Sequence, residues 1–235
     1  MEETSGNIMD AHFVIAGSHP WSRRVFDDVI RSFPGVWTFI ERPENLTLES
    51  LRRLQPRLVF FLHWSWKVPS AITRGFECVG FHMTDLPYGR GGTPLQNLIL
   101  RGHQTTKLSA FRLTEDLDAG PVYMKADFFL DGSAEAIYLR ACHVAADMIR
   151  RLIEEPTVPQ PQMGDPVIFK RRVPKESRLP ESGTPDEVYD FIRMLDAEGY
   201  PRAFLDHGRF RLEFRDAMRS PEGVTARVRV VSRQS

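Results

Sequence analysis

The chain has 235 residues, 42% of them hydrophobic, enough for one substantial core with an appendage or for two small domains. Thirty-one basic residues balance thirty-one acidic ones at zero formal net charge, which excludes a global field drawing the chain to nucleic acid or to an anionic membrane. No run nears the roughly 18 apolar residues of a membrane span, and Met1 to Asn7 lacks the basic and apolar regions of a leader, so a cytoplasmic chain with no membrane partner is expected.

Cys78 and Cys142 are the only cysteines, 64 positions apart (142 − 78). They lack CxxC or Cys/His ligand spacing, which argues against a disulfide scaffold or structural zinc. Two buried thiols and no metal are expected.

The first element is a short apolar strand, His12 to Gly17, closed by glycine; Trp21 to Ser32 follows with apolar residues at helical intervals. Val36 to Ile40 repeats the strand signal. Thr47 caps a short helix through Leu54, and Arg57 to His63 is a third strand, nearly all apolar. Such runs suit a parallel sheet covered on both faces. Phe76 to His82 predicts a fourth strand, Thr93 to Leu100 a helix, Lys107 to Leu113 a fifth strand and Val122 to Leu130 a sixth; a long helix runs from about Ala134 to Ile153. Right-handed βαβ logic turns this alternation into an α/β fold, a Rossmann-like, doubly wound, mostly parallel sheet whose ligand crevice lies at the carboxyl ends of the strands. His63 and His82 both fall at such ends.

Glu155 to Gln162 is proline-rich and reads as a linker. It divides a main domain, residues 11–155, from a small C-terminal α+β appendage, residues 156–235. The appendage carries a basic cluster from Lys170 to Lys175, a helix from Pro185 to Glu198, and strands over Arg209 to Phe214 and Val224 to Val231.

The segment from Gly80 to Pro94 joins a strand-end histidine to a glycine-rich turn that opens a helix, and Leu117-Asp118-Ala119-Gly120-Pro121 adds an aspartate on a second turn. A histidine exchanges protons near neutral pH, and an aspartate facing its second nitrogen fixes the tautomer and stabilises the imidazolium. The glycines permit a tight turn and close approach to backbone N–H groups. Each signal alone has a structural explanation; the combination points to an acid/base site.

His82, Leu86-Pro87, Arg90-Gly91 and Leu117-Asp118-x-Gly120-Pro121 occur in order, with 36 positions (118 − 82) between His82 and Asp118. Together they resemble the formyltransferase family that uses N10-formyltetrahydrofolate, the methionyl-tRNA formyltransferase-like group. Arg171-Arg172-x-Pro174-x-x-Ser177 and Tyr189 to Leu195 are similar to the segment that follows the catalytic domain in sugar N-formyltransferases. The resemblance implies the formyltransferase fold and transfer of a formyl group from the folate to a primary amine, with His82 taking a proton and Asp118 supporting it. The family carries asparagine two positions before the histidine, where this chain has Gly80; loss of an oxyanion donor costs on the order of 10² to 10³ in rate. Asn97 is the preferred substitute; Gln96, a backbone N–H, or no substitute at all remain open.

For the folate, the resemblance implies contacts from Trp64, Ser65 and Trp66, from Arg90 and Gly91, and from Leu113, Glu115 and Asp116. Ser18, His19, Tyr88, Gln96, Arg171 and Arg172 are the residues expected to meet the acceptor, the two arginines its phosphates. The short tail and balanced charge favour a nucleotide-linked amino sugar, as in surface polysaccharide synthesis, over methionyl-tRNA, with no nucleic-acid partner. A homodimer stays open. Amino-acid or peptide amines, a folate deformylase and an inactive folate-binding relative are the alternatives. A dinucleotide-dependent oxidoreductase is disfavoured because Ala16-Gly17-Ser18-His19-Pro20 lacks GxGxxG.

Overall fold

The computed structural model describes residues 7–155 and 157–233. Met1 to Gly6, on which the leaderless expectation rests, and Pro156 of the expected linker lie outside them. Among the described residues no helix is long and apolar enough to cross a membrane, and no group of three or more His, Cys, Asp or Glu side chains is arranged to hold a metal. Both cysteines are buried free thiols.

The first strands and helices follow the apolar pattern. β1 (His12–Ala16) buries Phe13 through Ala16 completely, and α1 (Pro20–Asp28) starts on a proline whose missing N–H costs nothing at that position. β2 (Val36–Ile40) leads to α2 (Leu48–Leu54), whose start is fixed by a reciprocal capping box between Thr47 and Ser50. Then come β3 (Leu58–Phe61), α3 (Ser70–Gly75), β4 (Cys78–His82), β5 (Tyr88–Gly91), α4 (Pro94–Leu100), β6 (Thr105–Arg112), β7 (Val122–Phe129) and α5 (Ala134–Glu154). The remainder is β8 (Val167–Phe169), α6 (Pro185–Arg193), β9 (Ala203–His207), β10 (Phe210–Ser220) and β11 (Gly223–Ser232).

Six strands form the main sheet in the order β2-β1-β3-β4-β6-β7. β1 is parallel to both β2 and β3, β3 is parallel to β4, and β4 is antiparallel to β6. The chain is thus a mixed α/β protein with a mostly parallel central sheet, as the alternation predicts. Its C-terminal part is a three-stranded antiparallel sheet, β11-β10-β9. A two-stranded ladder joins β5 to β8.

Two differences have local causes. The helix expected through Ser32 stops at Asp28, and a 3-10 turn over Ile30–Ser32 completes it; the β-branched pair Val29-Ile30 and the proline at 34 both disfavour another helical turn. The elements α3, β5, β8 and β9 were not expected. They span three to six residues each, too few to display a period.

By internal contacts the chain forms two compact units. The first holds residues through Arg90, Lys107–Phe128 and Leu139–Ile168; the second holds Gly91–Thr106, Phe129–Tyr138 and Phe169 onward. In the first, Val14, Ala16, Ile40, Leu51, Val59, Phe61 and Ile72 share one buried cluster on the sheet, α2 and α3. In the second, α6 is capped by Thr184 and Glu187 and buries Phe191 and Ile192. Its Arg193 is buried but fully employed, meeting Asp190 at 2.6 Å and the Gly132 carbonyl at 3.0 Å, the pairing that a buried guanidinium requires.

Candidate active site

The register of the parallel strands assembles one edge of the first unit. Ala16 pairs with Phe61 and Phe61 with Gly80, so the turns that follow β1 and β3 and the end of β4 emerge side by side. This is the carboxyl edge, where open α/β sheets bind ligands. It brings together residues 17–19, 63–66 and 82.

His82 closes β4 and is 8% exposed. Its Nε2 lies 2.8 Å from the Gly89 carbonyl; a carbonyl only accepts, so Nε2 carries the hydrogen. The lone pair of the neutral ring is then on Nδ1, which faces Asp118 Oδ2 at 3.7 Å. That separation is an electrostatic contact too long for a hydrogen bond. A proton gained at Nδ1 would point at a carboxylate, while Nε2 keeps its carbonyl.

Asp118 reaches this position from the turn between β6 and β7, with φ +50°, a left-handed conformation that aspartate tolerates better than most residues. Two residues on, a Cβ at Gly120 would sit 1.8 Å from the Arg112 carbonyl oxygen. The glycine of Leu-Asp-x-Gly-Pro is therefore a steric requirement of the turn that aims Asp118.

The turn is tied down from an unexpected quarter. The Gln162 amide nitrogen donates to the carbonyls of Asp118 (2.9 Å) and Gly120 (2.8 Å), and its oxygen accepts from Arg90 Nε (3.0 Å) and Nη2 (2.8 Å). Gln162 belongs to the stretch that reads as a linker. Its partners are 42, 44 and 72 positions away in sequence, so no local pattern signals its role.

At Gly80 the space of the family asparagine is occupied. A Cβ there would lie 2.7 Å from Leu113 Cδ2 and 2.9 Å from Phe111 Cε1. Glycine accordingly opens no path to a backbone N–H on that face, because these two apolar side chains fill it.

The other edge residues form a second cluster. Ser18 Oγ donates to the His63 carbonyl (2.8 Å) and lies 3.0 Å from Ser65 Oγ, which in turn is 3.0 Å from His19 Nε2. His19 stacks on Trp21 at 4.6 Å, and the Trp21 indole N–H donates to His63 Nδ1 at 2.8 Å. Burial, reinforced by the nearby His19, holds the His63 pKa down at about 3. Trp64 and Trp66 meet edge to face at 4.9 Å, and Trp66 is 45% exposed. Beyond them, Glu115 is exposed and pairs with Arg74 Nε at 2.6 Å, Asp116 is exposed with its carbonyl accepting from Thr114 Oγ1, and Leu113 is partly buried against Gly80. Tyr88 opens β5, its backbone N–H on the Asp85 carbonyl.

The remaining expected residues lie in the second unit, engaged with partners there. Gln96, expected to meet substrate, is 2% exposed and donates to Tyr138 OH (3.0 Å) and the Met194 carbonyl (2.8 Å). Both Nε2 hydrogens are committed inside the second unit, and the buried Oε1 has no hydrogen-bond partner. The Asn97 Nδ2 hydrogens are shared among the carbonyls of Gly92, Thr93 and Lys170 at 3.0 to 3.2 Å and the Thr93 hydroxyl, while its Oδ1 accepts from Arg101. Arg172 lies over the Phe191 ring and donates to the Glu176 carbonyl, and burial lowers its pKa. Arg171 is exposed, and Gly91 ends β5.

The mostly parallel α/β sheet, with a histidine and an aspartate facing each other at its carboxyl edge, defines the fold class, and comparison with known proteins gives the family. The family model described as the C-terminal domain of methionyl-tRNA formyltransferase matches residues 174–231. Methionyl-tRNA formyltransferase of Rickettsia felis is 26% identical over 147 residues, 60% of this chain and 48% of that relative. The chain spans about half the length of the curated relatives it matches. A solved structure described as methionyl-tRNA formyltransferase from Clostridium thermocellum is 40% identical, with a TM-score of 0.90 over 94% of this chain and 99% of that one. A sugar N-formyltransferase from a Shewanella species shares the fold, with a TM-score of 0.60 at 14% identity over 96% and 98% of the two chains. The chain belongs to the formyltransferase family.

Proposed function

We propose that the chain is an N-formyltransferase that moves the formyl group of N10-formyltetrahydrofolate to the primary amine of a nucleotide-linked amino sugar. The observation that carries the reaction type is His82 held between two acceptors, the Gly89 carbonyl at Nε2 and Asp118 at Nδ1. The amine nitrogen attacks the formyl carbon, and the tetrahedral adduct hands its surplus amine proton to His82 Nδ1. The bond between that carbon and N10 then breaks, N10 takes the proton, and a formamide and tetrahydrofolate leave. Asp118 opposes the imidazolium charge while it exists.

With Gly80 in place of the family asparagine and the amides of Asn97 and Gln96 committed elsewhere, proton handling by His82 is the contribution these side chains make. The edge residues Ser18, His19, Ser65, Trp64 and Trp66 supply hydroxyl, imidazole and aromatic surfaces for the folate and the acceptor. The balanced charge favours a small anionic sugar nucleotide over a tRNA backbone. Methionyl-tRNA is the second reading, favoured by the name of the 40% identical Clostridium protein.

Purified protein is incubated with N10-formyltetrahydrofolate and a panel of nucleotide-linked amino sugars, methionyl-tRNA and free amino acids, with folate absorbance and product mass followed together. Formylated sugar nucleotide is the expected product. Formylation of methionyl-tRNA alone would replace the acceptor, and formate release with no acceptor would replace the reaction by deformylation.

A further inference from the structure

We infer that Gln162 is a positioning residue for Asp118, and that Arg90 acts on the reaction through it. The inference rests on the formyl-transfer reading for its kinetic consequence and on geometry for its structural one.

The chemistry of the four contacts admits only an amide. Arg90 can only donate, and it offers Nε and Nη2 to the Gln162 oxygen; the Asp118 and Gly120 carbonyls can only accept, and each takes one hydrogen from the Gln162 nitrogen. Turning the amide over would set nitrogen against guanidinium and oxygen against two carbonyls, so its orientation is fixed. A carboxylate would keep Arg90 and repel both carbonyls. A thioether would fill the volume and bond to neither side.

The anchor itself is held in register. Gln160 exchanges two backbone hydrogen bonds with Val122 at 2.7 and 2.8 Å, which ties this segment to the first residue of β7, immediately after the Asp118 turn. The turn needs such a tie, because Asp118 has φ +50° and sits in a segment whose residues Thr114 to Leu117 are exposed. A left-handed aspartate persists only where its surroundings impose the conformation. The Asp118 carboxylate must also stay beside His82 Nδ1, and displacements on the order of 1 Å at such a contact cost about 10²-fold in rate. Gln162 thus links β5, which carries Arg90, to the turn carrying Asp118 and sets the spacing of the acid/base pair.

The test uses the full chain with Gln162→Met, Gln162→Glu and Asp118→Asn, alone and in combination. Hydrogen exchange of the peptide spanning 113–121 is measured beside that of β9 to β11. Gln162→Met is expected to speed exchange in 113–121 roughly 10-fold or more with β9 to β11 unchanged, and Gln162→Glu to do the same although it keeps its acceptor for Arg90. Unchanged exchange in both folded variants would overturn the inference whether or not the chain transfers formyl groups. On the acceptor that the wild type formylates, kcat is expected to fall about 30-fold in Gln162→Met with KM for the folate unchanged, and no further in Asp118→Asn/Gln162→Met than in Asp118→Asn. Additive losses would assign Gln162 to general stability. A wild type that transfers no formyl group to any amine would remove the functional reading and leave the exchange result to decide the positioning.

Discussion

His63 and His82 stand at the carboxyl ends of neighbouring parallel strands, and their partners give them opposite properties. At His63 an indole N–H occupies Nδ1 and burial holds the pKa down at about 3, so the ring is kept neutral. At His82 both nitrogens face acceptors, a carbonyl at 2.8 Å and a carboxylate at 3.7 Å, so a ring that gains a proton keeps both neighbours. A strand-end histidine is therefore defined by whether its partners donate or accept. Trp21 donates to His63, whereas Asp118 presents a carboxylate to His82.

The largest expected effect tests that contrast directly. His82→Gln removes the proton acceptor while retaining a donor toward Gly89, and kcat for formyl transfer is expected to fall on the order of 10³-fold, within the range for general-base loss. A change below 10-fold in stopped-flow turnover would move the proton acceptor elsewhere and end the comparison. Asp118→Asn comes next. It keeps the shape of the turn and removes the negative charge, and kcat is expected to drop on the order of 10²-fold with the KM for the folate little changed. Equal losses in kcat and folate affinity would mean that Asp118 binds the folate and does not serve His82.

The third prediction concerns His63 and is read in stability. The folded-state pKa near 3 lies below the ordinary value of 6.5, so below pH 6.5 the unfolded chain takes up a proton that the folded chain refuses. Stability from this site is complete above about pH 6.5, declines as the pH falls, and levels off only below about 3. The slope approaches about 1.4 kcal/mol per pH unit, or about 2 kcal/mol between pH 6.5 and 5. His63→Asn offers Trp21 an uncharged acceptor and suits the φ of +52°, so denaturant melts of the variant are expected to lack this part of the wild-type decline. Parallel declines in the two proteins would mean that His63 protonates in place.

Which parts of this site are legible in the sequence follows from where the partners lie. The strands announce themselves because buried residues such as Phe13 to Ala16 and Val59 to Phe61 are contiguous, and the helices α2 and α6 because Thr47 and Thr184 stand at their starts. His82 and Asp118 are visible because both sit in motifs dense with glycine and proline, residues that mark a turn whatever surrounds it. The neutrality of His63 is hidden, since it depends on burial and on His19, distant in sequence. Gln162 is hidden for the same reason, and proline-rich composition around it describes the flexibility of an isolated peptide, not of a segment laddered to Val122. The burial of Gln96 is hidden too, because it donates to Tyr138 and to the Met194 carbonyl, both distant in sequence.

Asn97 provides the smallest effect and the sharpest control on the contrast between groups that react and groups that hold. Its amide spans α4 and the strand that ends in Phe169, donating to Lys170, Gly92 and Thr93 and accepting from Arg101. Truncation in Asn97→Ala leaves the Lys170 carbonyl within 3.5 Å of the Thr93 hydroxyl and leaves Arg101 its bond to the Asn97 backbone carbonyl at 3.0 Å and its place over the Phe169 ring. The surviving contacts limit the loss to about 1 kcal/mol, the net worth of one buried amide's bonds. Thermal melts are expected to show that loss while kcat for formyl transfer stays within about 3-fold of wild type. A kcat lowered on the order of 10² with unchanged stability would restore Asn97 as the donor that stands in for the family asparagine, and would mean that its bonds to Lys170 and Thr93 are exchanged for a bond to the developing oxyanion during turnover.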